Sequence, residues 1–267
     1  MLLNPEMALG EGYMSGDFAI EGDDLEGFLK LALINRKRGG RAYFQLIRWA
    51  QHRIRSLMLR NPIGRAQENV AHHYDLSAKL YDLFLDADRQ YSCACFAKPG
   101  LTLEQAQLEK KRHIARKLAL RPGMTVLDIG CGWGGMAITL AQEFGVKVTG
   151  VTLSVEQQAY AQERVQALGL GERIDIRLQD YREVSETFDR VVSVGMFEHV
   201  GPRHYREYFA HLDRLLGAHG VALIHTIALT GPPQVTSSWI TKYIFPGGHI
   251  PAMREISPHF ELSLIHI

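Results

Sequence analysis

The sequence predicts an α/β fold with a doubly wound parallel sheet, preceded by a small helical attachment. From Thr102 onward, amphipathic helical segments alternate with short apolar strands, which is the pattern of a parallel sheet covered by helices on both faces. The first of these strands runs into a glycine-rich loop, VLDIGCGWGG at residues 126–135. Such a loop can place a ligand at the N-terminus of the helix that follows it.

The individual elements follow one another in a regular order. In chain order they are the helix EQAQLEKKRHIARKLAL, the strand MTVLDIG, the helix GGMAITLAQEF, the strand VKVTGVTLS, the helix VEQQAYAQERVQAL, the strands RIDIRLQD and FDRVVSVG, the helix YREYFAHLDRLL and the strand VALIHTI. Ligands of doubly wound sheets bind beyond the carboxyl ends of the strands. Functional residues are therefore expected directly after the strands.

Residues 1–65 are predicted to form a separate helical and basic region, and residues 66–267 the main domain. The segments ALGEGYMSGDF and DDLEGFLKLALINRK are interpreted as helical. Asn61-Pro62-Ile63-Gly64 has the composition of a linker. The segment ENVAHHYDLSAKLYDLFLD is predicted to be a further helix at the start of the main domain.

The net charge of +1 conceals a strongly basic segment. Residues 27–67 contain ten Lys and Arg residues and no Asp or Glu, whereas the rest of the chain has 20 Lys and Arg against 29 Asp and Glu. Apolar residues recur there at helical spacing, at Tyr43, Ile47, Ala50, Ile54 and Met58. The segment is predicted to be a basic amphipathic helix. It either packs on its own domain or binds an anionic surface, a membrane or nucleic acid.

Composition limits the class of protein. A chain of 267 residues with 46% hydrophobic residues can bury a full core. The sequence lacks an apolar run of about 18 residues, and its start, MLLNPEMALGEG, lacks the order of a secretory signal. The three cysteines, Cys93, Cys95 and Cys131, match neither a zinc site nor a disulfide framework. We therefore predict a cytoplasmic protein without a bound metal.

The glycine loop satisfies the fingerprint of an NAD site, but its surroundings favour a different cofactor. An NAD site has an acidic residue about 20 residues after the first glycine, where this chain has Gly150-Val151-Thr152-Leu153-Ser154. Asp128 precedes Gly130 by two residues, and a carboxylate there suits a cationic ligand better than a pyrophosphate. A sulfonium cofactor with an ammonium group is favoured, with an NAD-dependent oxidoreductase kept as the alternative.

Several motifs in a fixed order then resemble one family. VLDIGCGWGG, VTLSVEQQAYAQER, QDYRE, VVSVGMFEHVG, LIHTI and KYIFPGGHIP are similar to the cyclopropane-fatty-acyl-phospholipid synthase family, S-adenosylmethionine (SAM)-dependent enzymes related to the mycolic acid cyclopropane synthases. The resemblance runs from His73 to Ile256, and residues before it more loosely resemble the N-terminal domain of the phospholipid-acting branch. It implies a Rossmann-like methyltransferase sheet.

The resemblance also implies roles for particular residues. The positions that match the family's SAM contacts are Tyr91, Ser92, Asp128, Gly130, Cys131, Gly132, Gly134, Gly135, Thr152, Leu153, Ser154, Gln157, Tyr181 and Arg182. The positions that match its bicarbonate cradle are Cys93, Glu198, His225 and Ile227. The alternatives for the cradle residues are structural: a helix cap for Glu198, a hydrogen-bonded core histidine for His225 and a small buried filler for Cys93.

The implied reaction is the transfer of a methylene group from SAM to a cis double bond of an unsaturated phospholipid acyl chain, which forms a cyclopropane ring. Bicarbonate would be the general base, with His225 and the backbone near Cys93 and Ile227 donating to it and Glu198 accepting its O–H. Aromatic residues available around the developing cation are Tyr74, Phe197, Trp239, Tyr243 and Phe245. Capture of the cation by water would instead give a hydroxylated or methyl-branched chain.

A lipid substrate favours a membrane over nucleic acid as the partner of the basic segment. We therefore expect the protein at the inner face of the membrane, with a homodimer left open. The resemblance implies seven strands, but only five are predicted before Ile227, and the sequence departs from the family's pattern at LSLIHI. We accordingly expect the chain as given to lack C-terminal strands and to be inactive or nearly so, which leaves an inactive membrane-binding fragment as a further alternative.

Overall fold

The computed structural model of the protein describes residues 4–38 and 78–263. Most of the predicted basic helix, the predicted linker and Tyr74 lie outside the described residues. No helix in the described part of the chain is long and apolar enough to cross a membrane.

Five parallel strands form a single sheet, which confirms the predicted fold class. They are β1 (Thr125–Ile129), β2 (Lys147–Thr152), β3 (Ile174–Leu178), β4 (Phe188–Val194) and β5 (Leu216–His225). Their order across the sheet is β3-β2-β1-β4-β5. The chain moves outward from β1 to β3 and then returns to the other side of β1, so the switch point lies between β1 and β4.

The strand register brings three strand ends to the same level. Ile129 pairs with Val151 on β2 and with Ser193 on β4, and Val194 pairs with His225 on β5. The loops that follow β1, β4 and β5 therefore begin side by side. Among the described residues β5 pairs only with β4 and forms one edge of the sheet.

Nine α-helices accompany these strands within the described ranges. They are α1 (Pro5–Ser15), α2 (Leu25–Arg38), α3 (Ala78–Tyr81), α4 (Leu103–Lys117), α5 (Gly135–Phe144), α6 (Val155–Ala167), α7 (Tyr205–Leu215), α8 (Ser238–Tyr243) and α9 (Met253–Ser263). Two details differ from the predicted pattern. The helix expected to continue to Asp86 ends at Tyr81, where a series of turns begins, and β5 starts directly at the end of α7.

Local side-chain chemistry explains where the helices of the main domain begin. Thr102 and Gln105 form a reciprocal capping box at the start of α4. The Ser154 hydroxyl accepts from the backbone N–H of Gln157 at the start of α6. Gly134, in the left-handed region, precedes α5. Each helix on this face of the sheet therefore has a defined start beside the carboxyl ends of the strands.

The core consists of two apolar layers, one on each face of the sheet. Helices α4, α5 and α6 bury Ile114, Leu140 and Val165 on one face, and α7 with α9 buries Phe209 and Ile256 on the other. Burial of each such side chain stabilises the fold by about 1.5 to 3 kcal/mol. The two layers fix the sheet between helices, so the loops at its carboxyl edge are held from both sides.

Candidate active site

A cleft runs along the carboxyl edge of the sheet, directly above the glycine loop. Its main part has about 960 Å³ of empty space, including the portion open to solvent. A second, smaller part adjoins it, and both parts are lined by Gly130, Gly132, Gln157 and Gly195. The residues that line the cleft follow β1, β2, β3 and β4, as the sequence pattern predicts for a doubly wound sheet.

The glycine loop is shaped by backbone conformations that other residues rarely adopt. Gly130, Gly132 and Gly134 have φ angles of 78°, 54° and 82°. A Cβ atom at Gly134 would also lie 2.9 Å from the Cβ of Ala161 on α6. The tight turn and the close approach of the loop to Ala161 on α6 thus both require glycine at position 134.

Asp128 lies at the bottom of the smaller part of the cleft. Its side chain is buried, and its Oδ2 atom has no hydrogen-bond partner among the described residues. Burial raises the pKa of Asp128 to about 7, and the charge of Lys110 opposes the shift. A buried carboxylate oxygen without a partner fits a donor from a bound ligand, because leaving it unpaired costs about 1 to 3 kcal/mol.

Gly135 makes room for a second carboxylate. The position of a Cβ atom on Gly135 would be 2.1 Å from Oδ2 of Asp88. The Nζ atom of Lys111 lies 2.6 Å from the same oxygen, and Arg164 forms an ion pair with the other oxygen. Asp88 therefore joins α4, α6 and the start of α5, so Gly135 shapes the cleft through packing.

The segment after β2 is held by its own side chains. The Thr152 hydroxyl donates to Oε1 of Gln157 at 2.8 Å and accepts from the backbone N–H of Ser154. Thr152, Ser154 and Gln157 are all buried, and Thr152, Leu153 and Gln157 line the cleft. The residues of this segment that line the cleft present hydroxyl and amide groups and no carboxylate, which differs from the acidic residue expected in an NAD site.

The segment after β3 forms the far wall of the cleft. Tyr181 and Arg182 line it, as does Asp180, which the sequence analysis did not select. Two nitrogens of the Arg182 guanidinium donate to the Asp180 carboxylate at 2.8 and 2.6 Å. Burial raises the pKa of Tyr181, so its hydroxyl is neutral. Tyr181 also packs edge-on against Tyr208 of α7.

Tyr91 and Ser92 line the smaller part of the cleft, opposite the glycine loop. The Tyr91 ring stacks on Phe245, with centroids 6.2 Å apart. The Ser92 hydroxyl accepts a hydrogen bond from Nζ of Lys110 at 2.6 Å. Phe245 is followed by Pro246 and Gly247, which line the main part of the cleft, so this loop covers the cleft from above.

Three of the four predicted cradle residues come together beyond β4 and β5. Glu198 lies in a short 3₁₀ helix, and its Oε1 accepts from the backbone N–H of Ile227 at 2.7 Å. Oε2 of Glu198 and Nδ1 of His225 are both buried without a partner in the described part of the chain. Burial and the charge of Lys110 lower the pKa of His225, and Glu198 opposes the shift. The imidazole is therefore neutral near pH 7.

The geometry of Ile227 and Cys93 differs from the expected cradle. The Ile227 N–H, which we expected to face the ion, donates to Glu198 instead. The Cys93 thiol is exposed, which is contrary to the alternative that it is a buried filler. Cys93 directly follows Ser92 in the chain and interacts electrostatically with Lys110. It therefore lies on the same side of the cleft as Tyr91 and Ser92.

The aromatic residues proposed around the cation divide into separate groups. Phe197 is fully buried and stacks on Tyr205 with centroids 4.6 Å apart, so it belongs to the core. Trp239 packs against Gly10, and the Tyr243 hydroxyl donates to Glu11 of α1. Phe245 stacks on Tyr91, which lines the cleft.

A group of polar residues on α4 belongs to the site although the sequence did not predict it. Gln107, Lys110 and Lys111 are almost fully buried, and all three bind the strip of residues 88–92. Helical periodicity placed these residues on the polar face of an amphipathic helix, which predicts exposure. The sequence around Gln107, Lys110 and Lys111 contains no other pattern that indicates burial, and only the folded chain reveals the partners of these residues.

Comparison with known proteins identifies the family of the chain. The family Mycolic acid cyclopropane synthetase matches residues 63–267. The chain is 43% identical to the cyclopropane-fatty-acyl-phospholipid synthase of Escherichia coli K12 over 274 aligned positions, which cover all of this chain and 69% of that protein.

Solved structures of the same type superpose on the chain. The cyclopropane synthase MmaA2 from Mycobacterium tuberculosis has a TM-score of 0.70 and 36% identity, and the alignment covers 74% of each chain. The mycolic acid cyclopropane synthase CmaA1 complexed with SAH and CTAB has a TM-score of 0.70 and 35% identity, covering 77% of this chain and 75% of that one. The chain therefore belongs to the mycolic acid cyclopropane synthetase family of SAM-dependent methyltransferases.

Proposed function

We propose that the protein transfers a methylene group from SAM to a cis double bond of an unsaturated phospholipid acyl chain, with bicarbonate as the general base. The phospholipid is inferred from the name of the E. coli relative, to which identity extends over the whole chain. The observation that carries the proposal is the pair of unpartnered buried atoms, Oε2 of Glu198 and Nδ1 of His225, at the carboxyl ends of β4 and β5.

The cofactor site is proposed to follow the cleft from Ser92 and Asp128 to Tyr181. The carboxylate of Asp128 would face the ammonium and sulfonium end, and Thr152 with Gln157 the adenosine end. Support comes from the continuous lining of the two parts of the cleft and from the CmaA1 structure complexed with SAH. SAM, when bound, supplies the electrophilic methyl group.

The cradle is chemically suited to a small anion that carries its own proton. A neutral His225 can donate one N–H to an oxygen of such an ion, and Oε2 of Glu198 can accept the ion's O–H. Bicarbonate offers both groups, whereas an ion without a proton would be repelled by Glu198. Bicarbonate, when bound, supplies the base that removes a proton from the transferred methyl group.

The residues of the chain contribute positioning and exclusion of water. The Glu198 carboxylate is fixed by the Ile227 N–H, and the backbone of the 3₁₀ helix accepts from the His249 N–H at 2.8 Å. This leaves one free carboxylate oxygen with a defined direction. A base must stand within hydrogen-bond reach of the carbon that loses its proton, so this orientation matters for ring closure.

The reaction test uses vesicles of a cis-unsaturated phospholipid with SAM labelled in its methyl group, with and without bicarbonate. It is run on the chain as given and on the chain extended at its C terminus with the matching sequence of the E. coli relative. Labelled cyclopropane acyl chains that require bicarbonate support the proposal. Labelled hydroxylated or methyl-branched chains favour the alternative product, and no labelled lipid from either form contradicts the assignment.

We also propose that the basic segment brings the protein to anionic membrane surfaces. Each Lys or Arg near such a surface contributes about 1 kcal/mol, and salt screens the attraction over about 10 Å at 0.1 M. Changing Arg48, Arg53 and Arg55 to Glu should abolish binding to vesicles that contain anionic phospholipid. Vesicle flotation at low and high salt measures this, and equal binding to neutral and anionic vesicles would contradict it.

A further inference from the structure

Lys110 is a buried cation in contact with Ser92, which belongs to the proposed cofactor site. It is 3% exposed, whereas Arg116 and Lys117 near the end of the same helix are at the surface. Its Nζ atom donates to Oγ of Ser92 at 2.6 Å and to Oε1 of Gln90 at 3.0 Å. A buried ammonium group is costly unless it is paired, so its retention here calls for a partner of opposite charge.

The carboxylates whose charges favour the ammonium form of Lys110 are those of Asp86 and Asp88, and Asp128 lines the same part of the cleft as Ser92. The charge of Lys110 lowers the pKa of Asp128 against the effect of burial. Burial in turn lowers the pKa of Lys110 to about 8, and the neighbouring Lys111 adds to the shift, whereas Asp86, Asp88 and Cys93 oppose it. The charge of Asp128 also raises the pKa of Cys131, and the charge of Lys110 lowers the pKa of His225.

The hydrogen bond to Ser92 has a directional consequence. A serine hydroxyl has one proton to donate, and an ammonium group can only donate. Because Oγ of Ser92 accepts from Lys110, its own proton is free to point into the cleft. Gln107 fixes the backbone of the same strip, since its Nε2 donates to the carbonyl oxygens of Gln90 and Ser92 at 3.1 and 2.9 Å.

We propose that Lys110 is a positioning residue for the amino-acid end of the cofactor. It orients the Ser92 hydroxyl as a donor to the cofactor's carboxylate and places a buried positive charge on the same side of the cleft as Asp128, which would face the cofactor's ammonium group. The cleft thereby presents a positive and a negative group to a zwitterion. The inference rests on the proposed cofactor site but concerns a residue outside it.

The test compares two ligands that differ only at this end. S-adenosylhomocysteine (SAH) carries the amino-acid group, and 5′-methylthioadenosine lacks it. Calorimetry on the full chain should show that Lys110→Met weakens SAH binding by about tenfold or more and changes methylthioadenosine binding less than twofold. Lys110→Arg, which keeps the charge, should recover part of the lost SAH affinity.

Lys111→Met is the matched control, because Lys111 is equally buried but pairs with Asp88. It should leave the ratio of the two affinities unchanged. If Lys110→Met does not fold, Ser92→Ala provides the same comparison, with a smaller loss confined to SAH. Equal losses for both ligands in the Lys110 and Ser92 variants would overturn the inference, whereas wild-type protein that binds neither ligand would overturn the cofactor site itself.

The pH profile gives a readout that loss of packing would not produce. Wild-type affinity for SAH should fall as the pH drops below about 7, where Asp128 takes up a proton. In Lys110→Met this fall should begin at a higher pH, because the charge that opposes protonation is gone. The ligand's own amino group titrates identically with both proteins, so superimposable profiles contradict the role of Lys110.

Discussion

The two halves of the site differ in how well their polar groups are satisfied. On the cofactor side, Thr152, Ser154 and Gln157 bind one another, and Asp88 binds two cations. On the cradle side, Glu198 and His225 each keep a buried polar atom without a partner in the described ranges. The first half also contains such an atom, Oδ2 of Asp128, but most of its groups already bind one another, whereas the unpartnered atoms of the second half belong to the two proposed cradle residues themselves. The groups of the first half mainly position one another, and those of the second half are the ones proposed to take part in the chemistry.

The largest expected effect is on the cradle side. In the chain extended at its C terminus, Glu198→Gln and His225→Ala should each reduce turnover by about 10²- to 10⁴-fold, because loss of a positioned base commonly has this effect. The affinity for SAH should stay within twofold of wild type, since neither residue lines the cofactor cleft.

Steady-state rates with vesicles and calorimetry with SAH measure the two quantities. Asp213→Asn on α7 is a control that removes a carboxylate away from the site, and it should leave both unchanged. Wild-type turnover in both cradle variants would remove the distinction between the two halves.

An intermediate effect is expected from the glycine loop. Gly134→Ala should lower the free energy of unfolding by about 2 to 4 kcal/mol, because it adds backbone strain at φ 82° to a contact 2.9 Å from Ala161. Gly169→Ala is the matched control: φ is also positive there, at 66°, but nothing lies within 4 Å of the added atom.

The control should therefore lose only about 1 kcal/mol. Urea unfolding of both variants measures the difference. Equal losses would show that the close approach to Ala161 on α6 does not constrain the loop.

The smallest effects are expected from Asp128→Asn, which should weaken SAH binding and raise the stability of the protein without ligand. Affinity for SAH should fall about tenfold, because an amide cannot match a charged ammonium group. Stability without ligand should rise above about pH 7, by about 1 to 3 kcal/mol.

The sign follows from linkage. The folded-state pKa of Asp128, about 7, lies above the unfolded value near 3.8, so the folded protein binds more protons between these values and loses stability as the pH rises through them. The amide removes this loss. Thermal unfolding at pH 5 and pH 8 should show a larger gain at pH 8, and a gain that is equal at both values would contradict the assigned shift.

Periodicity alone was sufficient for much of the fold. The strands at MTVLDIG and FDRVVSVG and the helix VEQQAYAQERVQAL lie where their apolar patterns predict, because a two-layer core requires one apolar face from each helix and buried strands between them. The β5 boundary differed, since no turn separates α7 from Leu216. The order of the motifs along the chain likewise indicates the family without any information on contacts.

What the sequence by itself determined was therefore the alternation of elements, the glycine loop after β1 and the family to which its motifs belong. Only the tertiary structure decided that Phe197 is core, that the Ile227 N–H is taken by Glu198 and that Lys110 lies under Ser92. The physical reason is that periodicity reports which face of a segment is apolar, which is a local property. The partner of a buried charge is set by residues far apart in the chain, and it is defined only when the helices have packed on the sheet.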